Sequence, residues 1–181
     1  MVGDFRTWRK KPRLTIEFAV PEDLRVWDLH GSDRQQKVAT VHVRNAGRAT
    51  AQRCVAVLKP ISVPPGVTLE ERDFVLHWAD TDYTAHTNVA EPVDIGSERR
   101  RLDMVFSIDK KEQFSLLPVF GAWVAIPLAL SNPTAASQAY LPPGEYRFRL
   151  TVECENGKGA SKDFLICSPT SWTDLTARSL G

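Results

Sequence analysis

Apolar and polar residues alternate with a period of two along most of the chain, the pattern of strands that bury one face only. Leu14, Ile16, Phe18 and Val20 alternate with Thr15, Glu17 and Ala19, and Ala39, Val41 and Val43 with Thr40, His42 and Arg44. Cys54, Ala56 and Leu58 extend a third strand, expected to stop at Pro60 because proline has no N–H to give a ladder. Phe74, Leu76 and Trp78 make a fourth. Leu102, Met104, Phe106 and Ile108 make a fifth, with Val105 and Ser107 assigned to the solvent side. The cleanest run sets Tyr146, Phe148, Leu150, Val152 and Cys154 against Arg147, Arg149, Thr151 and Glu153. Asn156-Gly157 then turns the chain into Phe164 and Ile166, a hairpin with a turn mechanism behind it.

The remaining segments carry weaker patterns. Pro21 to Trp27 is expected to make one helical turn, with its proline early and acids in the first turn. No charged residue occurs from Gln113 to Gly144, and Phe114 to Leu130 is largely apolar. A membrane helix needs about 20 apolar residues. Pro118, Gly121 and Pro127 interrupt this run, so it reads as a buried strand from about Phe120 to Leu130. The fold expected is all-β: an Ig-like antiparallel β-sandwich with long loops at 60–72, 79–92 and 131–144. A leader occupies residues 1–13, the sandwich 14–168, and a polar tail without a sustained period 169–181.

Composition narrows the function classes. At 181 residues the chain is of single-domain size, and 43% hydrophobic content excludes intrinsic disorder. The 23 basic and 22 acidic side chains leave a net charge of +1, without the basic excess of a nucleic-acid binder, so no nucleic-acid partner is expected. The three cysteines cannot all pair within one chain. Cys54 and Cys154 stand 100 residues apart, longer than an Ig-type disulfide usually spans. A hairpin centred on Asn156-Gly157 pairs residues whose numbers sum near 313, so Cys154 and Cys167 do not face each other. With no apolar stretch at the N-terminus, free thiols and a cytoplasmic location are expected.

The densest polar cluster runs from His77 to His86, and His77, Asp80, Asp82 and His86 are its candidate ligand or acid–base residues. Its spacing matches neither HExxH nor an EF-hand loop. No CxxC pair, phosphate-binding glycine loop or GxSxG elbow occurs. No catalytic residue, metal site or cofactor is therefore assigned. The leader is different: Phe5 and Trp8 are interleaved with Arg6, Arg9, Lys10, Lys11 and Arg13. Interfacial aromatics among cations suit an anionic membrane surface.

The stretch from Val38 to Ala51, in which a strand ends in Asn45-Ala46-Gly47 and an alanine opens the next, resembles the Ig-like modules of the CARDB kind. Val93 to Gly96 leading into Leu102 to Phe106, and Pro143-Gly144-Glu145-Tyr146 leading on to Val152, look similar to that pattern. The resemblance covers about half the chain and implies a sandwich with a binding or spacer role and no catalytic residues. The expectation is a non-catalytic interaction or accessory module, with a protein partner or an anionic membrane surface, belonging to the cytosolic part of a membrane-associated system. The alternative is a β-sandwich hydrolase, or a glycan- or metal-binding protein, working through the 77–86 loop.

Overall fold

The computed structural model describes residues 11–28, 35–69, 73–76, 78–79, 92–109, 122–127 and 138–181. Among these residues twelve strands form: β1 (Leu14–Glu17), β2 (Leu24–Asp28), β3 (Gln35–Asn45), β4 (Ala51–Ser62), β5 (Phe74–Val75) and β6 (Val93–Ile95), then β7 (Arg100–Asp109), β8 (Ala122–Pro127), β9 (Gln138–Tyr140), β10 (Gly144–Glu153), β11 (Ala160–Ser168) and β12 (Thr176–Leu180). The one helical element among the described residues is a 3-10 turn at Trp172–Asp174. All strand pairings are antiparallel. One sheet has the order β1-β3-β7-β8-β9, with β2 also on β3; the other has the order β12-β11-β10-β4-β5, with β6 also on β4.

In each sheet a long strand carries two short ones end to end. Leu14–Glu17 pairs with Asn45–His42, and Leu24–Asp28 pairs with Ala39–Gln35. Val57 and Leu58 pair with β5, while Ala51 and Cys54 pair with β6. The core lies between the sheets. Tyr146, Phe148, Leu150 and Val152 on β10 are fully buried, as are Cys54, Ala56 and Leu58 on β4, and Val41, Val43, Leu102 and Met104 opposite them. Phe148 sits edge-on to Phe74 (centroids 6.3 Å apart) and stacked on Tyr146 (5.9 Å). Burying each such ring contributes about 1.5–3 kcal/mol. The Tyr146 hydroxyl donates to the Pro142 carbonyl (2.7 Å), tying the start of β10 to the turn before it.

The sandwich expected from alternation is the fold observed, with five local corrections. First, β1 ends at Glu17, and Val20 is exposed, because Ala19–Asp23 is a turn: the Asp23 amide donates to Ala19 O, and the Ala19 amide to Asp23 Oδ2 (both 2.8 Å). Second, the residues after that turn form β2 instead of continuing as helix. Third, β4 runs through Pro60 to Ser62; the pairing with β10 slips there, Phe148 facing Pro60 and Arg147 facing Ser62, so proline occupies an irregular rung. Fourth, β7 changes face midway. Thr40 pairs with Asp103 and Ala39 with Val105, leaving Met104 as an extra residue, so Val105 and Ser107 are buried and Phe106 is only half-buried. Fifth, the segment read as a polar tail carries β12, whose Ala177 is buried with the preceding Leu175.

A strand lies within the stretch Phe120 to Leu130 as expected: β8, from Ala122 to Pro127. Its pairing with β7 and β9 places it inside the first sheet. No helix among the described residues is long and apolar enough to cross a membrane.

Candidate functional site

Lys11 and Arg13 are the two leader candidates within the described residues; Phe5, Arg6, Trp8, Arg9 and Lys10 lie outside them. His77, Asp80, Asp82 and His86 also lie outside them. What the structure does place is the exit of the leader, and two turns hold it. The Arg13 amide donates to Asn45 Oδ1 (3.0 Å), and the Ala46 amide to Arg13 O (2.8 Å). On the other side, the Leu14 amide donates to Lys158 O (3.2 Å), and the Lys158 amide to Pro12 O (3.3 Å). The β3–β4 turn belongs to a crossing between sheets and the β10–β11 turn to a hairpin, so residues 11–13 join both layers.

Two glycines make that clasp sterically possible. A Cβ on Gly47 would come 2.4 Å from Lys11 O, and one on Gly157 would come 2.3 Å from Pro12 Cγ. A side chain at either position would push the turn away from the segment. Two asparagines supply the polar ties. Asn45 Nδ2 donates to Ala49 O (2.7 Å) and Ile95 O (3.1 Å), while its Oδ1 also accepts from the Gly47 amide (2.9 Å). Asn156 Oδ1 accepts from the Gln52 amide, and its Nδ2 donates to Thr50 O (both 2.9 Å). In sequence these residues read as turn formers for their own connections, and nothing local announces that Asn45, Gly47 and Gly157 close on residues 11–13.

The side chains around the clasp are basic. Lys11, Arg13, Arg48 and Lys158 are exposed, and none forms a salt bridge with another described residue. Arg53 beside them is neutralised by Glu155 (2.6 Å), and Arg99 by Glu17 (3.3 Å). This end of the sandwich therefore gathers four exposed cations without ion-pair partners among the described residues, with the Asp94 carboxylate close by on the Arg53 amide.

A second polar cluster lies on the outer face of the first sheet. Asp23, buried at the turn before β2, meets His42 Nδ1 at 3.2 Å. Thr40 Oγ1, two residues earlier on β3, donates to Asp103 Oδ1 (2.9 Å), and Arg101 lies 3.7 Å from that carboxylate. A carboxylate that orients an imidazole is half of a general-base device. Here the Thr40 hydroxyl is already committed to Asp103, and the Asp23 backbone carbonyl also accepts from the Thr40 amide (2.8 Å). The cluster ties the Ala19–Asp23 turn onto β3. Sequence reading missed it because His42 looked like one solvent-side residue among several.

No group of three or more His, Cys, Asp and Glu side chains among the described residues is placed to hold a metal ion. All three cysteines are free thiols. No protein-family model, curated protein or solved structure matches the chain.

Proposed function

We propose that the chain is a non-catalytic interaction module of a membrane-associated system, and that its clasped basic end is the face that meets an anionic lipid surface. The observation that supports this reading is the fixed exit of the leader at Lys11–Arg13, ringed by cations without carboxylate partners among the described residues. The aromatic and basic residues Phe5, Arg6, Trp8, Arg9 and Lys10 continue directly from that point in sequence. Each cation near an anionic leaflet contributes about 1 kcal/mol. Lys11, Arg13, Arg48 and Lys158 together give at most about 4 kcal/mol, on the order of a millimolar dissociation constant. That strength orients a domain held at the membrane by something else, and does not anchor it alone.

Vesicle flotation tests the reading. The full chain should float weakly with phosphatidylserine-rich vesicles, not with neutral ones, and about 0.5 M salt should abolish the binding. Replacing Arg6, Arg9, Lys10 and Lys11 with serine should remove most of it, and Arg48→Ser with Lys158→Ser should weaken it further. Equal flotation on neutral and anionic vesicles, or no flotation at low salt, would overturn the lipid-facing role.

A further inference from the structure

Val152 pairs with Ala56 and Glu153 with Val55, so the register of β10 on β4 brings Cys154 opposite Cys54. Both side chains lie on the inner face: Cys54 is fully buried, and Cys154 is half-buried against the core cluster. Burial raises the Cys54 thiol, and the neighbouring Cys154 adds to the rise. This is a neighbouring-strand pair within one sheet, unlike the bond between sheets of antibody-type sandwiches.

We infer that Cys54 and Cys154 form a modification site, a cross-strand dithiol that closes to a disulfide by exchange with a small-molecule disulfide such as oxidised glutathione. The backbone on both sides of the pair is held in place. Arg53 and Glu155, flanking the thiols, form an ion pair (2.6 Å), and the Glu155 amide donates to Gln52 O (3.1 Å). Asn156 adds its two bonds to Gln52 and Thr50. Directly opposed Cβ atoms in antiparallel strands stand about 4.5–5.5 Å apart, and a disulfide brings them to about 3.8 Å. Closure therefore asks for a movement of about 1 Å, at a place where β4 already bulges with Arg53 at a φ of 50°.

The chemistry balances in two exchanges. The half-buried Cys154, as thiolate, attacks one sulfur of oxidised glutathione; its S–S bond breaks, one glutathione leaves as thiolate and takes up the proton, and a mixed disulfide remains. Cys54 then loses its proton and attacks the Cys154 sulfur, expelling the second glutathione as thiol after protonation. Two protein thiols are oxidised and one glutathione disulfide is reduced to two thiols. Cys167, which faces Glu145 and Thr176 across its own strands, has no cysteine opposite it. Burial pushes the Cys54 thiol up to about 12, so it is a poor leaving group, and the closed bond resists reduction by monothiols.

The test is a thiol count on the full chain after incubation with oxidised glutathione, read by maleimide labelling in denaturant and by non-reducing peptide mapping. Two of the three thiols should disappear, with a peptide joining residues 54 and 154 and a raised melting temperature. Cys167→Ser should leave no thiol after the same treatment, and Cys154→Ser should leave Cys54 unmodified in the native protein. Three surviving thiols, or a stable glutathione adduct on Cys154 beside a free Cys54, would overturn the site.

Discussion

Two short segments of this sandwich bond to both sheets, and they do so with opposite chemistry. At the leader seam, Pro12–Leu14 bonds to the Lys158 turn of one sheet and then becomes β1 of the other. Its contacts are amide side chains, backbone groups and two glycines with no room for a Cβ. At the second seam, Leu76 donates its amide to Ala56 O (2.9 Å) in one sheet, and Trp78 then bridges to Leu102 of the other, with the Ala79 amide on Arg101 O (3.0 Å). Phe74, Leu76 and Trp78 are almost wholly buried. Both seams cover backbone that a plain sheet edge would leave open. One is held by shape and hydrogen bonds, the other by buried area, and they should fail differently.

The largest expected effect is at the apolar seam. Trp78→Ala should destabilise by about 3–5 kcal/mol in a denaturant titration, as much as Phe148→Ala in the middle of the core. A loss of under about 1 kcal/mol would show that burial does not hold this seam. At the leader seam, Gly47→Ala and Asn45→Ala should each cost about 1–3 kcal/mol, the first by overpacking against Lys11 and Pro12, the second by stranding the Arg13 and Gly47 amides. These two variants should also speed hydrogen exchange at Arg13 and Leu14 ahead of global unfolding, whereas Trp78→Ala should not. Equal local exchange in all three would erase the distinction.

Alkali probes the core between the seams. Burial raises the Cys54 thiol from 9.0 to about 12 and the Tyr146 phenol from 10.0 to about 12. In the unfolded chain both ionise earlier, so their full contribution to stability is present below about pH 9 and is lost as pH rises towards 12. The melting temperature should fall across that window. Seam variants should shift the whole profile without changing its shape, while Tyr146→Phe should flatten its upper part. The smallest effect lies on the outer face. The hydrogen bond from Arg149 holds the Asp163 carboxyl below its ordinary value, so that stabilisation is present above the unfolded pKa and fades as acid reaches the folded one. Arg147 also reaches Asp163 (3.1 Å), so Arg149→Ala should leave the denaturation midpoint within error at neutral pH.

How much of this was legible in the sequence depends on range. β10 and the hairpin to β11 followed from clean alternation around Asn156-Gly157, because strand period and turn chemistry are both local. The face change in β7 was not readable, since the extra residue at Met104 shows only against the register of β3. Pro60 misled for the same reason: its place is settled by the slip against β10. In the candidate site, the cations Lys11 and Arg13 were visible, but the clasp that fixes them joins residues far apart in number. Gly47 and Gly157 looked like turn glycines, which they are, and their closeness to Pro12 depends on how the two sheets stack. The cysteine spacing argued against an Ig-type bond, and only sheet register makes Cys54 and Cys154 neighbours.

The clasp also has a mechanical meaning. A pull along the leader in line with β1 first has to draw Pro12 out from between Gly47 and Gly157, against the Asn45 and Lys158 bonds. Behind it, the rungs from Leu14–Asn45 to Glu17–His42 lie across the force, so they are loaded together in shear instead of opening one by one. Resistance of this kind is set by a rate of rupture and not by the stability of the core. A tether at this corner would thus work like a cable gripped at its entry to a housing: tension is absorbed at the polar rim, and Phe148 and its neighbours feel none of it until the grip fails.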